Sequence, residues 1–149
     1  MAVATIHRAE QFFHRAGGID LDKSDFGRLE DFIRRKVVDL VVRGEASARA
    51  NGRDVVQPWD LPITKGVQEA VHRFRLIDAE LQLTDYLAGL ISLPPTDLAI
   101  GDETEARLPE IAGALCLALA ESFRIIDEDL RNPMTEHWDR AYRLFDLLL

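Results

Sequence analysis

Apolar residues recur at three- and four-residue spacings along most of the chain. The longest such run is Phe26, Leu29, Ile33, Val37, Leu40, Val41 and Ala48, which is the buried face of a helix predicted over Asp25–Asn51. At 1.5 Å per residue that helix spans roughly 40 Å. Phe32, Val38 and Val42 widen the face, so it meets neighbours on more than one side. Ser24 or Asp22 is placed to cap it, and Asn51-Gly52 is placed to stop it. A short helix precedes it, predicted over Ala4–Ala16, with Ile6, Ala9, Phe12 and Phe13 in one stripe and Gly17-Gly18 at its end. After it, Arg53 to Asp60 reads as a short extended segment. A third helix is predicted over Pro62–Phe74, with Pro62 in its first turn.

The same order then repeats. A helix is predicted over Ala79–Leu90 and ended by Leu93-Pro94-Pro95-Thr96. Asp102 to Glu105 is expected to make a preliminary turn. A second long helix follows, with Pro109 near its start or kinking it, and Asn132-Pro133 closes it. Its inward positions are Leu108, Ile111, Ala112, Leu115, Leu119, Phe123, Ile126 and Leu130. A last helix is predicted over Trp138–Leu149 with Thr135 as a cap. No strand-length alternation occurs, so the expected class is all-α.

A shift of 79 residues aligns Arg28-Leu29 with Arg107-Leu108, Leu40 with Leu119, Asp60 with Asp139, and Trp59 with Trp138, the chain's two tryptophans. Coincidence within an ordinary helical bundle is the alternative. The paired order of helices favours a repeat: units 1–75 and 76–149, clasped into one compact domain over a shared core.

Each unit resembles the histone fold: a short helix, a long central helix and another short helix. The first unit also carries Gly52-Arg53, a hydrophobic Val55-Val56 and then Asp60. In histone-fold chains an arginine and an aspartate at this spacing pair and brace the loop, so the resemblance implies an Arg53–Asp60 clasp. The second unit departs from this pattern, because Arg131 precedes Asn132-Pro133 and Asp139 lies eight residues after Arg131. Together the units resemble an uncharacterised bacterial family of tandem histone-fold proteins, similar to an archaeal histone dimer fused into one chain. That implies an intramolecular pseudo-dimer.

Charge divides the halves. The net charge is −8 in 149 residues. Residues 1–75 hold 13 Lys/Arg and 11 Asp/Glu, whereas residues 76–149 hold 5 and 15. Histones meet phosphate through loop ends and helix N-termini. By that resemblance Arg15, Lys23, Arg53 and Lys65 are the candidate DNA contacts. Their counterparts 79 residues on are Pro94, Asp102, Asn132 and Leu144, so any DNA binding is expected to be weak, salt-sensitive and confined to the first half.

Catalytic signals are sparse. Cys116 lies between leucines and is expected to be buried, and no internal disulfide can form from one cysteine. The sequence contains no glycine-rich nucleotide loop, CxxC pair or HExxH motif. His7 with His14, His137 beside Glu136 and Asp139, and the Asp102–Glu110 acids are weak metal signals, better explained as charged surface. The expectation is a non-enzymatic protein with no cofactor and no metal. No segment has the apolar length to span a bilayer. The chain reads as a cytoplasmic protein-interaction or structural module that binds a protein partner or itself. Nucleoid association is the alternative and a metal-dependent enzyme the remote third reading.

Overall fold

A computed structural model describes residues 3–149. Six helices make up most of it: α1 (Val3–Gly17), α2 (Lys23–Ala50), α3 (Lys65–Leu81), α4 (Thr84–Leu90), α5 (Asp102–Ile126) and α6 (Thr135–Leu148). The order is short, long, short, then short, long, short. Two two-residue strands, β1 (Val55–Val56) and β2 (Ala99–Ile100), pair in parallel, with Val55 beside Ala99 and Val56 beside Ile100. This small sheet departs from a purely helical chain. It forms where two loops meet edge to edge and their backbone groups need partners.

α2 starts where an acidic cap satisfies its first amides. Asp22 accepts from the Ser24 and Asp25 backbone N–H groups, and Asp25 accepts from the N–H of Asp22 in return. The helix stops at Ala50 because the chain turns through Gly52, whose φ of +69° suits a residue without a Cβ. Asn51 keeps a negative φ of −101°.

Several boundaries differ from those predicted. Pro62 lies outside α3. A 3-10 turn over Pro58–Asp60 and an extended Leu61 hold the chain out of helix, and Thr64 supplies the cap by accepting from Val67 N–H at 3.3 Å. α3 then runs past Phe74 to Leu81, through the point that divides residues 1–75 from 76–149, because no breaker interrupts it and Leu81 is buried. It ends at Gln82, which takes a left-handed φ of 53°. The Asp78 carboxylate then accepts from Leu83 N–H and the Thr84 hydroxyl.

α5 begins directly at Asp102, with acids at its positive end, so no separate turn precedes it. Pro109 lies inside it. The helix ends at Ile126, before Asn132-Pro133, where Asp129 N–H turns onto the Asp127 carboxylate at 3.1 Å. α6 begins three residues before Trp138. Its cap position is Met134, whose N–H donates to His137 Nδ1 at 2.9 Å, while the Thr135 hydroxyl accepts from Arg28 at 2.8 Å.

α5 is the centre of the molecule. Ala112, Ala114, Leu115, Leu119, Ala120 and Phe123 are fully buried, and α1, α2, α3, α4 and α6 all pack on it. Gly113 lets α3 approach closely: a Cβ there would lie 2.4 Å from the Phe74 ring. α2 and α6 meet through Phe32, which stacks on Tyr142 and abuts Phe145 edge-on.

The connecting loops meet in two places. β1, which follows α2, pairs with β2, which precedes α5. The ladder is extended by Gly101 N–H to Val56 O at 3.0 Å and the Thr104 hydroxyl to the same carbonyl at 2.7 Å. The loop preceding α2 meets the loop following α5 through Asp20 N–H to Arg131 O at 2.7 Å. Among the described residues no helix is long and apolar enough to cross a membrane.

Candidate functional site

The most developed polar constellation is built where α2 ends. Gly52 turns the chain so that Arg53 points back along the following loop, and the 3-10 turn brings Asp60 to meet it. The guanidinium grips the carboxylate with both terminal nitrogens, one at 2.6 Å. Asp60 also accepts from Gln57 N–H at 2.8 Å and the Ser47 hydroxyl at 3.2 Å. Its side chain is almost wholly buried and that of Arg53 is about one third exposed. The hydrogen bonds from Arg53 hold the Asp60 carboxyl down to about 2, against the opposing effect of burial. This arrangement fastens β1 and the 3-10 turn onto α2. It also commits the Arg53 fork to an internal partner.

Trp59 stands beside this clasp, 71% exposed, with the Arg53 guanidinium 5.9 Å from its ring centre. It borders an open groove of about 580 Å³ between the 3-10 turn, α3 and α5. The groove's charged groups are already paired with each other: Arg75 with Glu110, and Arg107 with Glu103 at 2.8 Å.

The other cations singled out by sequence do not gather around Arg53. Lys23 opens α2 and Arg53 follows its end, so a 28-residue helix separates them by roughly 40 Å. Arg15 lies near the Lys23 end and pairs with Glu80 at 2.9 Å. Lys65 opens α3 and pairs with Glu69 at 3.0 Å. Three of the four candidates therefore hold a carboxylate of the same chain.

The two tryptophans have opposite environments. Trp138 is 1% exposed, packs edge-on against Phe123 and donates its indole N–H to Asp25 at 2.9 Å. The 79-residue shift holds from the starts of the long helices, Lys23 and Asp102, along their buried faces, where Leu29, Phe32, Leu40 and Gly44 match Leu108, Ile111, Leu119 and Phe123, and it fails in the loops that follow. The connection after α5 is shorter, so Trp138 lies within α6 whereas Trp59 precedes α3. Arg131 and Asp139 form no second clasp among the described residues. Arg131 contributes its backbone carbonyl, and Asp139 is exposed.

Sequence reasoning missed three internal polar contacts. Lys36 is buried between Asp39 and Asp146, which ties α2 to α6. Its place four residues after Phe32 and three after Ile33, on the apolar flank of α2, was the available signal. Arg124 donates to the carbonyls of Gly17 and Gly18 at about 3 Å, closing the end of α1 from across the core. Asp25, read as a helix-start charge, is buried, and that burial raises its carboxyl above the ordinary range.

The residues considered for chemistry disperse. His14 meets Asp20 at 3.1 Å, His7 is exposed, and His137 serves the start of α6. Cys116 is buried, which pushes its thiol up to about 12 and leaves it protonated at neutral pH. Among the described residues no three His, Cys, Asp or Glu side chains are placed to hold a metal ion.

The model of DUF1931, described as a domain of unknown function, matches residues 9–146. A crystal structure from Thermus thermophilus is 44% identical and superposes with a TM-score of 0.86, covering 97% of each chain. A 1.9 Å crystal structure of an Aquifex aeolicus protein is 23% identical with a TM-score of 0.84, covering 97% of this chain and 95% of that one. An uncharacterised protein of Aquifex aeolicus strain VF5 is 26% identical over 139 residues, 93% of this chain and 81% of its own length.

Proposed function

The chain belongs to the DUF1931 family, and we propose that it is a tandem histone-fold-like pseudo-dimer serving as a non-enzymatic protein-interaction or structural module. The architectural part of this reading is supported by the two loop meetings. In each, the loop before one long helix touches the loop after the other: β2 with β1, and the Asp20 segment with Arg131. Two helix–long helix–helix units clasped about an approximate two-fold axis would produce that pairing at both ends. In this reading the division between units lies at Gln82, where α3 ends, rather than at residue 75.

The observation that carries the functional part is the internal pairing of Arg15, Arg53 and Lys65 with Glu80, Asp60 and Glu69. Arg53 would have to leave a buried carboxylate to meet a phosphate, the exposed Arg15 and Lys65 pairs are weaker competitors, and the acidic second half adds repulsion. Affinity capture of the tagged full-length chain from a native extract of its source tests this reading. The expected outcome is reproducible, stoichiometric retention of a protein, unaffected by nuclease. Retention of nucleic acid alone would overturn it.

A further inference from the structure

The outer face of α6 carries an unusual order of side chains. Glu136, Asp139, Arg140 and Arg143 fall at spacings of three, four and seven from the first, on one exposed stripe. They run acid, acid, base, base. The ion pairs that α6 makes within the chain use Asp146, with Lys36, and His137, near Asp127. The four stripe residues have no such partner among the described residues, although most cations of this chain do. Apolar side chains lie at one end of the stripe, where Leu144 and Leu147 are 39% and 79% exposed. Arg140, Arg143, Leu144 and Leu147 line a groove of about 550 Å³ with Ile126, next to the exposed Ile125.

This pattern is complementary to itself when read backwards. We propose that the outer face of α6 is the contact through which two copies of this chain associate, their α6 helices antiparallel across a two-fold axis. An isologous contact requires that residue i meet j while j meets i. Placing Glu136 against Arg143 of the other copy sets Asp139 against its Arg140, and the axis repeats both pairs. Four ion pairs then form the seam, with the exposed Leu144 and Leu147 beside it. A parallel arrangement would oppose like charges and is excluded by the same stripe. The proposal rests on the interaction-module reading and names a second copy as the partner.

Sedimentation equilibrium of the full-length chain at about 0.5 and 100 µM, concentrations on either side of a micromolar Kd, tests it. The wild type is expected to approach twice its 16.8 kDa mass at the higher concentration and to dissociate with added salt. Arg140→Glu/Arg143→Glu makes the stripe wholly acidic and is expected to be monomeric. Glu136→Arg/Asp139→Arg makes it wholly basic and is also expected to be monomeric. An equimolar mixture of the two should recover the doubled mass. All four positions are exposed, and unchanged circular dichroism and melting of each variant would verify its folding. A wild-type chain that stays monomeric, or double variants that associate as the wild type does, would overturn the proposal. So would a mixture that fails to associate although both variants are folded. Retention of a different protein by a monomeric chain would sink this contact while leaving the interaction-module reading intact.

Discussion

Asp60 shows how much one buried carboxylate can organise. It receives the Arg53 fork, a backbone amide and a hydroxyl, so its ionised form is strongly favoured by the folded chain. Its carboxyl is held at about 2, below the roughly 3.9 of an unfolded chain. The resulting stability is fully present above the unfolded value and is lost as pH falls through the folded one. Asp25 acts in the opposite sense. Burial raises its carboxyl, so its ionised form opposes folding at neutral pH and that opposition vanishes in acid. Asp60→Asn is therefore expected to lower stability at pH 7 by about 2 kcal/mol, the scale of hydrogen bonds to a charged group. It should also flatten the decline between about pH 5 and 2. Urea unfolding across that range measures both. An unchanged midpoint at pH 7 would contradict the clasp's role. The spacing Gly52-Arg53 to Asp60 was readable because both partners lie in one short loop. The Asp146 partner of Lys36 and the Gly17 partner of Arg124 lie 110 and 107 residues away, and no local pattern indicates such distances.

Among the elements, α5 and α3 are the most tightly fitted. The space beside Gly113 is filled by the ring of Phe74, itself 1% exposed. Gly113→Ala is expected to destabilise the protein by about 2–3 kcal/mol through overpacking, even though alanine favours helix more than glycine. Thermal melting would register this as a clear fall, and a raised melting temperature would mean that the two helices can separate. Helical periodicity revealed every helix, because each buries a stripe. It located the ends less well. Pro62 suited a helix start, but the 3-10 turn and the Thr64 cap moved that start to Lys65. Leu76 to Leu81 lacked any signal separating α3 from the next helix. The actual break depends on Gln82 and on the Asp78 side chain folding over it. The match of Trp59 with Trp138 misled for a similar reason: a shorter second loop changes register without disturbing the apolar pattern of either long helix.

For the whole molecule, the distribution of charge matters more than its sum. The cations proposed for DNA lie at two ends of a long helix, and three of them are internally paired. Duplex DNA binding is expected to be weak at about 50 mM salt and to disappear by about 200 mM, the range over which phosphate contacts lose most of their affinity. Fluorescence anisotropy with labelled duplex would follow it, with Arg15→Ala/Lys23→Ala/Lys65→Ala reducing whatever binding is present. Tight binding that persists at the higher salt would overturn the interaction-module reading in favour of a nucleoid protein. The opposed charges of the two halves were legible in composition. Their pairing across helices, such as Arg15 with Glu80 and Arg75 with Glu110, needed the three-dimensional arrangement.

In the tandem reading proposed above, the unbroken helix from Lys65 to Leu81 governs how the halves find each other. Only Gln82, which is left-handed, and Leu83 separate it from α4, so two such halves would meet at an effective concentration fixed by the covalent chain rather than by abundance in solution. Their union does not weaken on dilution. Identical chains pairing in solution must carry every substitution twice, once in each copy. A tethered pair carries it once. One end of this molecule keeps a two-strand ladder and an Arg53–Asp60 clasp, while the other is joined by Asp20 N–H to the Arg131 carbonyl and by Arg124 to the Gly17 and Gly18 carbonyls. In that tandem reading, covalent linkage turns an obligatory symmetry into an optional one and leaves each half free to diverge.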